Sequence, residues 1–456
     1  MDEMIEVLYQ IQKDIGLSTK QIQDNIILYN GDYLTSRNAR FLLSTPLYVS
    51  DRMLMIRKAV LRQSYCSPKA RLNYIKCVPG LLHMQMAVLL LLFRTHFGED
   101  SDIVSLSRWI KEFDRSESKL WDKSSAQVKN FNACLDFFDI VLDGYILAVF
   151  ANASGCLTLG DLSRNIGAIN VAERVNELTD FLIKFDIVDL NHRKNTQDTV
   201  HDNLILFLQH GLTLRNFTSA IRCGDPGQYL ASLSYFTVCF QGSRQCNYAN
   251  ETIHLTAMLN KCWSGRVRKF YLENSLINLS GRSEGWLPCD AINERVVREA
   301  KAMRVNNSNP ATDDHWRNTI GVQTMLLPDV KEKMAEECGT YISDYHSTPV
   351  EKMTDVRAIA AILLKDGVCT QRPKRKVLGG KQSKMTDLFV QGQLALATTK
   401  KITEFKRRIV SGKLVEKETL DDDRVALEAD DSEGGIFWKG DTGLDNGEPD
   451  EDETFS

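Results

Sequence analysis

A short basic cluster near the carboxyl end of the sequence could bind a partner: Arg372, Lys374, Arg375 and Lys376. Ammonium and guanidinium groups bind carboxylates and phosphates, so such a cluster can be recognised by a nuclear import receptor or can displace counterions from nucleic acid. A solvated run of charges is the alternative interpretation. Because we expect this part of the chain to be accessible, we favour an import receptor as partner, which predicts a nuclear protein. Non-specific contact with DNA stays open.

The cluster lies in a tail whose two halves carry opposite charge. Residues 371–413 contain 12 Lys or Arg and 2 acids, whereas residues 414–456 contain 3 and 16. Few apolar residues interrupt either half, so the tail cannot bury enough apolar surface to offset the entropy lost on ordering. We therefore expect a basic disordered segment over 367–413 and an acidic disordered tail over 414–456. A transient amphipathic helix over 394–415 is the alternative for part of it.

A second group of tail residues has a defined spacing: Gln382, Met385, Leu388 and Phe389. This spacing resembles the motif by which replication and repair proteins bind the sliding clamp, in which a glutamine precedes an aliphatic residue and two aromatic residues. In such peptides a 3₁₀ turn gathers the apolar side chains into one plug, while the glutamine enters a separate polar pocket. The resemblance implies the sliding clamp as a partner. Leu388 departs from it, because an aromatic ring is preferred there, and this lowers the expected affinity.

Residues 1–366 are expected to form the folded core that positions these motifs. The whole chain is 43% hydrophobic and 25% charged, an ordinary globular balance. Apolar residues recur at spacings of three and four through most of the core, which predicts helices. Residues 25–30 (NIILYN) have aliphatic and aromatic content and are bounded by Gly31 and Asp32, which indicates one buried strand. The predicted fold class is mainly α with a small α/β element.

Two features constrain the compartment. The most apolar stretch, residues 81–93, is interrupted by His83 and Gln85 and is too short to span a bilayer, so we predict a buried helix and no membrane partner. The chain has 11 cysteines without a Cys-x-x-Cys pair, which indicates neither a disulfide framework nor a zinc ribbon and fits a reducing compartment.

Five blocks of the core occur in a defined order: residues 31–35 (GDYLT), 79–87 (PGLLHMQMA), 220–227 (AIRCGDPG), 246–251 (CNYANE) and 286–294 (WLPCDAINE). Together they resemble a large domain family of unknown function, expanded in fungi and present in some invertebrate animals, that is suspected to derive from DNA transposons. The resemblance covers about residues 25–334. It implies a ribonuclease-H-like transposase core that is divided by a long helical insertion.

Transposase chemistry of that kind requires carboxylates that converge on two divalent metal ions, which activate water and stabilise the leaving oxygen of a phosphodiester. The resemblance therefore implies Asp32, at the end of the strand, and Glu294, on a late helix, as ligands of Mg²⁺ or Mn²⁺. Glu251 is the competitor of Glu294. Each acid taken singly is also explained by solvation or by helix capping, as at Asp290 near the start of that late helix.

The sequence departs from the implied pattern in one respect. A ribonuclease-H-like core carries a further aspartate on an earlier strand, yet only a helix is predicted before residue 25. Loss of one of three carboxylates removes most of the metal affinity that phosphoryl transfer requires. We therefore favour a transposon-derived nuclear protein without catalytic activity, which binds DNA and is recruited to the sliding clamp. One alternative is an active metal-dependent transposase or nuclease, for which sequence outside this chain could supply the missing aspartate. The other is a scaffold that binds other proteins.

His83 lies on the predicted apolar helix, where a hydrogen-bonded core histidine is more common than a metal ligand or a base. The pairs Arg222 with Asp225 and Trp286 with Asp290 are likewise interpreted as structural contacts. The sequence contains no Gly-rich phosphate loop, no Ser-His-Asp order and no nucleotide fingerprint above background.

Overall fold

The computed structural model describes most of the predicted core and two pieces of the tail. The described residues are 27–31, 75–115, 120–122, 127–184, 198–243, 245–305, 352–375 and 387–398, together with Lys333 and Glu337. They form twelve α-helices and three two-stranded sheets, which confirms the predicted fold class. Several predictions fall outside the described residues, namely those for Asp32, Lys376, Gln382, Met385 and residues 399–456.

The small α/β element is a pair of parallel strands followed by a helix. Strand β1 (Ile27–Gly31) pairs with β2 (Ile75–Pro79), and Gly31 lies opposite Pro79. Helix α1 (Leu81–His96) begins directly after Gly80. Because parallel strands end at the same edge of a sheet, the chain leaves β1 at the edge where α1 begins. The strand predicted over 25–30 is confirmed.

Helix α1 is buried on nearly all sides. Residues 87–93 each expose 4% of their surface or less. A helix that is apolar all round belongs in a protein interior or in a membrane. Across the described parts of the chain, we find no helix with the length and hydropathy needed to cross a membrane. The buried helix predicted from this stretch is confirmed.

Three long helices form the rest of the central body: α3 (Phe131–Ala153), α6 (Thr199–Cys223) and α7 (Pro226–Gly242). Helices α3 and α6 pack on α1, and α7 packs on α6. Phe207 of α6 lies at their junction, where its ring stacks on Phe138 at a centroid distance of 4.8 Å and meets His96 edge-on at 5.0 Å. Such aromatic pairs contribute about 0.5–1.5 kcal/mol beyond the area that they bury.

The residue types at positions 224–226 explain the turn between α6 and α7. Gly224 ends α6 in the left-handed conformation with φ 71°, and the Asp225 side chain caps α7 at 3.0 Å, with Pro226 as the first helical residue. Trp286 covers this turn, since a Cβ at Gly224 would lie 2.7 Å from its ring. Asp225 therefore has a structural role as the cap of α7, whereas the contacts of Arg222 with Asp225 and of Trp286 with Asp290 stay predictions.

The remaining helices are α2 (Leu106–Glu112), α4 (Leu159–Asn165), α5 (Val171–Lys184), α8 (Cys246–Ala257), α9 (Gly265–Asn274), α10 (Cys289–Val305), α11 (Lys352–Lys365) and α12 (Leu388–Thr398). Two antiparallel pairs join β3 (Trp121–Asp122) to β4 (Gln127–Val128) and β5 (Leu276–Asn278) to β6 (Trp286–Pro288). Strand β6 leads directly into α10, which contacts both β1 and α1. The β5–β6 pair therefore directs α10 to the edge of the parallel strands.

Two pieces of the segment predicted to be disordered are folded against the core. Residues 367–375 follow α11 and reach the start of α6, and α12 packs along α7. The polar composition of the tail as a whole conceals the apolar residues of 388–396, which provide one buried helix face. This local concentration explains the difference from the predicted disorder.

Candidate active site at the edge of the parallel strands

The candidate active site is built on Asp290, in the first turn of α10. Its carboxylate accepts hydrogen bonds from the backbone N–H groups of Leu82 at 3.1 Å and His83 at 3.2 Å. These N–H groups belong to the first turn of α1 and have no partner within that helix. Gly80, which precedes α1, has no side chain that could cap it. Asp290 therefore caps a helix that is 207 residues away in the sequence.

Gly80 allows this close approach. A Cβ at position 80 would lie 2.1 Å from Asp290 Oδ2 and 2.5 Å from its Cγ. Any larger residue would force the carboxylate away from α1 or shift the two elements apart. Two of the sequence blocks that carry the family resemblance therefore meet at this point, one around Gly80 and the other around Asp290.

The same carboxylate orients the imidazole of His83. Asp290 Oδ2 lies 3.0 Å from His83 Nδ1, and the other ring nitrogen, Nε2, lies 3.6 Å from Glu294 Oε1. Asp290 Oδ2 can accept a hydrogen bond from Nδ1–H, and in that arrangement Nε2 is the ring nitrogen on the side of Glu294. The side chains are 5%, 19% and 57% exposed in the order Asp290, His83, Glu294. The three groups thus run from the interior to the surface.

The arrangement of Asp290, His83 and Glu294 could support either proton transfer or metal binding. A histidine whose Nδ1–H is held by a carboxylate can accept a proton at Nε2, or can bind a metal ion there while the carboxylate sets the ring orientation. Among the residues that the structure describes, no group of three or more His, Cys, Asp or Glu side chains could hold a metal ion. Asp290 is directed at the N–H groups of α1, so His83 and Glu294 are the two donors that this part of the chain supplies.

The three acids predicted as ligands have different positions. Glu294 lies at the strand edge, beside His83. Asp32 directly follows Gly31, the last residue of β1, and itself lies outside the described residues. Glu251 lies on α8, which packs against β2, and is only 3% exposed. The structure therefore brings Glu294 and the end of β1 to one edge and places Glu251 in the interior.

The sequence predicts structural roles for His83 and Asp290 and does not indicate that their side chains meet. Asp290 is predicted to cap its own helix, whereas its carboxylate caps α1 and holds His83. The available signal was the start of α1, where a glycine stands in place of Ser, Thr, Asp or Asn. A long helix without its own cap indicates a cap from elsewhere in the chain.

A second histidine pair has a different, structural arrangement. His96 of α1 and His210 of α6 are both fully buried, and His96 Nε2 lies 2.8 Å from His210 Nδ1. Burial, and then the neighbouring His210, lower the pKa of His96 well below its ordinary value. The pair therefore joins α1 to α6, and the charged form of the His96 ring is disfavoured there.

The basic cluster lies at the start of α6. Arg375 donates to both carboxylate oxygens of the fully buried Asp198, from Nε at 2.9 Å and from a terminal nitrogen at 2.8 Å. The same guanidinium donates to the backbone carbonyls of residues 367, 368 and 370. Arg372 and Lys374 are exposed. Of the three described residues of the cluster, Arg372 and Lys374 would therefore be accessible to an import receptor, and Arg375 would have to leave Asp198.

The apolar pair of the clamp-like motif lies in the first turn of α12. Leu388 is 5% exposed and belongs to the main hydrophobic core, and the Phe389 ring stacks on Tyr235 of α7. Gln382 and Met385 lie outside the described residues. The two described residues of this motif are therefore occupied by contacts with the core.

Comparison with known proteins places the chain in a family. Residues 1–346 match the model described as "Family of unknown function (DUF6589)". The chain belongs to this family. No curated protein and no solved structure matches it. The predicted membership of a family of unknown function is confirmed, and its suspected origin from transposons stays a prediction. Gly80, His83, Asp290 and Glu294 lie within the DUF6589 region, whereas Arg375, Leu388 and Phe389 lie beyond it.

Proposed function

We propose that this DUF6589 protein is a transposon-derived nuclear protein that acts on phosphodiester bonds of nucleic acid at the edge of the parallel strands. The observation that carries the proposal is the alignment of Asp290, His83 and Glu294. The absence of a third carboxylate argued for an inactive protein. His83 and Glu294 supply two donors at the edge where β1 ends, and Asp32, the residue after β1, is the third donor in this proposal. Such a set favours the active alternative over the inactive one.

The donor set fits a divalent cation that accepts both nitrogen and oxygen. Imidazole suits transition metals and carboxylates suit Mg²⁺ and Mn²⁺, so a set of His83, Glu294 and Asp32 favours Mn²⁺ over Mg²⁺. When bound, such an ion lowers the pKa of a water molecule and stabilises negative charge on the phosphodiester. The residues of the chain would contribute orientation: Asp290 fixes the His83 ring, and the capped start of α1 fixes Asp290.

Nucleic acid is the proposed substrate for two reasons. The family resemblance implies transposase ancestry, and residues 371–413 carry 12 Lys or Arg against 2 acids. Such a segment gains free energy from the release of counterions when it contacts phosphates. The segment is linked to the core through α11 and residues 367–375, so it would add affinity to any nucleic acid held at the strand edge.

Metal binding by the full chain tests the site. Titration with Mn²⁺, followed by electron paramagnetic resonance, should show a site that His83→Ala and Glu294→Gln each weaken by more than the roughly 10–100-fold that loss of an outer partner of a ligand costs. Glu177→Gln on α5, an exposed acid paired with Arg174, is the matched control and should leave binding unchanged. Equal binding by all four chains would refute the site.

Cleavage of supercoiled plasmid in Mn²⁺ tests the reaction. Wild-type protein should nick the DNA, and both site variants should lose this activity while the Glu177→Gln control keeps it. Metal binding without nicking by the wild-type chain would refute the proposed reaction and support the catalytically inactive protein.

The tail supports a second candidate function, recruitment to the sliding clamp. The observation that favours it is the spacing of Gln382, Met385, Leu388 and Phe389. A peptide of residues 371–399, titrated calorimetrically into the clamp, should bind, and the double variant Met385→Ala/Phe389→Ala should not. Equal heats from both peptides would reject the apolar plug.

A further inference from the structure

Helix α12 is held on the core by side chains of its first turn. Leu388 and Val390 are 5% and 8% exposed, and the Phe389 ring lies parallel to that of Tyr235, with centroids 4.8 Å apart and an angle of 13° between the planes. Asp387 caps the helix by accepting a hydrogen bond from the Val390 N–H at 3.1 Å. The docked helix therefore begins at the apolar pair of the clamp-like motif.

Two glycines let the backbones of α7 and α12 touch. A Cβ at Gly242 of α7 would lie 2.1 Å from the Leu388 carbonyl oxygen, and a Cβ at Gly392 of α12 would lie 1.8 Å from the Val238 carbonyl oxygen. Glycine is a poor helix former, so a glycine at each of these positions lowers the stability of its helix. The close crossing of the two helices explains why glycine is present there. The fit is specific to these two helices, because Gly242 of α7 accommodates the backbone of α12 and Gly392 of α12 accommodates the backbone of α7.

The docked position and the clamp-bound position exclude each other. The clamp-like motif requires the side chains of Leu388 and Phe389 to enter a partner's pocket, and docking buries the same two side chains against the core. We propose that α12 is a latch, in which α7 holds these residues and the chain binds the clamp only after α12 is released. This inference rests on the clamp-binding function proposed above and concerns its regulation.

The latch lowers the apparent affinity for the clamp. When a binding-competent state is only a fraction of the population, the apparent dissociation constant rises by the inverse of that fraction. A chain with α12 docked nine-tenths of the time would bind about ten-fold more weakly than the free peptide. Weakening the α7–α12 contact should remove this factor and leave the contacts with the clamp unchanged.

Full-length variants test the latch from both sides. Gly242→Ala changes α7 and leaves the tail sequence intact, and Gly392→Ala changes α12 outside residues 382–389. Each should raise the affinity of the full chain for the clamp by about ten-fold, toward that of the 371–399 peptide. Alanine favours helix, so a loss of docking cannot be attributed to a weaker α12. Gly265→Ala, where a Cβ would meet nothing within 4 Å, is the matched control.

The outcomes separate the latch from the function on which it rests. Hydrogen exchange should show protected amides over 388–398 in the wild-type chain and faster exchange in both variants. A wild-type chain that binds the clamp as tightly as the peptide would overturn the latch and leave clamp binding intact. Variants that release α12 without a gain in affinity would also overturn it. A peptide that does not bind would overturn both proposals.

Discussion

Two buried aspartates of this protein, Asp198 and Asp290, have similar local surroundings, but the basic side chains that they hold have different further partners. Each accepts backbone hydrogen bonds at a helix start and holds one basic side chain, Arg375 or His83. The guanidinium of Arg375 is enclosed by backbone carbonyls, whereas the outer nitrogen of His83 faces the exposed Glu294. The side chains of Arg375 and His83 are similarly exposed, at 18% and 19%, so their further partners make the difference. A buried carboxylate has a structural role when its partner is bound to backbone carbonyls. It has a positioning role when its partner is directed at an exposed acid.

The largest effect should come from breaking the enclosed pair. In Arg375→Gln the buried Asp198 loses its counter-charge, which should lower the free energy of unfolding by about 3–5 kcal/mol. Arg372→Gln is the control, because Arg372 contacts Asp198 through its backbone N–H and its side chain is exposed. That control should stay within about 0.5 kcal/mol of wild type in urea denaturation. Equal losses in both variants would contradict the structural role of Arg375.

The pH dependence of the same pair has a defined sign. Burial alone would raise the pKa of Asp198, but hydrogen bonds from Arg375 and from two backbone N–H groups hold it below its ordinary value. The stability from this pair is therefore complete above the unfolded-state pKa of about 4 and is lost as the pH falls through the lower folded-state value. The difference in unfolding free energy between wild type and Arg375→Gln should shrink below about pH 4. A difference that is constant from neutral pH into acid would argue against this assignment.

A smaller loss is expected at the strand edge from Gly80→Ala. The added methyl group overlaps the Asp290 carboxylate and should cost about 1–3 kcal/mol of stability, as overpacking does. It should also weaken Mn²⁺ binding, because Asp290 can no longer hold His83 in place. Gly160→Ala on α4, whose Cβ would have only an ordinary contact at 3.6 Å, is the control. Unchanged stability and metal binding in Gly80→Ala would mean that the close approach of Asp290 does not matter.

The smallest loss of stability should come from Asp290→Asn, which sharpens the comparison with Asp198. An asparagine still accepts a hydrogen bond at the start of α1, so stability should fall by about 1 kcal/mol or less. The amide no longer fixes the Nδ1 proton by charge, so Mn²⁺ affinity should fall by about 10–100-fold. Calorimetric metal titration beside urea denaturation measures both. A large loss of stability with unchanged metal affinity would make Asp290 a structural residue like Asp198.

Local sequence patterns were sufficient to predict helices and strands, but they were insufficient to predict the contacts between them. The strand β1, the buried helix α1 and the turn at Gly224 each follow from residues within one short window. The cap that Asp290 provides for α1 joins residues 207 positions apart, and no periodicity in the sequence encodes it. The predicted disorder of residues 367–375 and 388–398 differs from the structure for a related reason. The average composition of the tail is polar, whereas Arg375 and the apolar start of α12 are ordered by contacts with distant residues of the core.

The most direct test of the account is the position of a metal ion in crystals of the full chain grown with Mn²⁺. Anomalous scattering should place a peak within bonding distance of His83 Nε2 and a Glu294 carboxylate oxygen, with Asp290 on the far side of the imidazole. A peak at Asp198, or His83 Nε2 directed into the core with no metal beside it, would contradict the claim that the strand edge is the functional site.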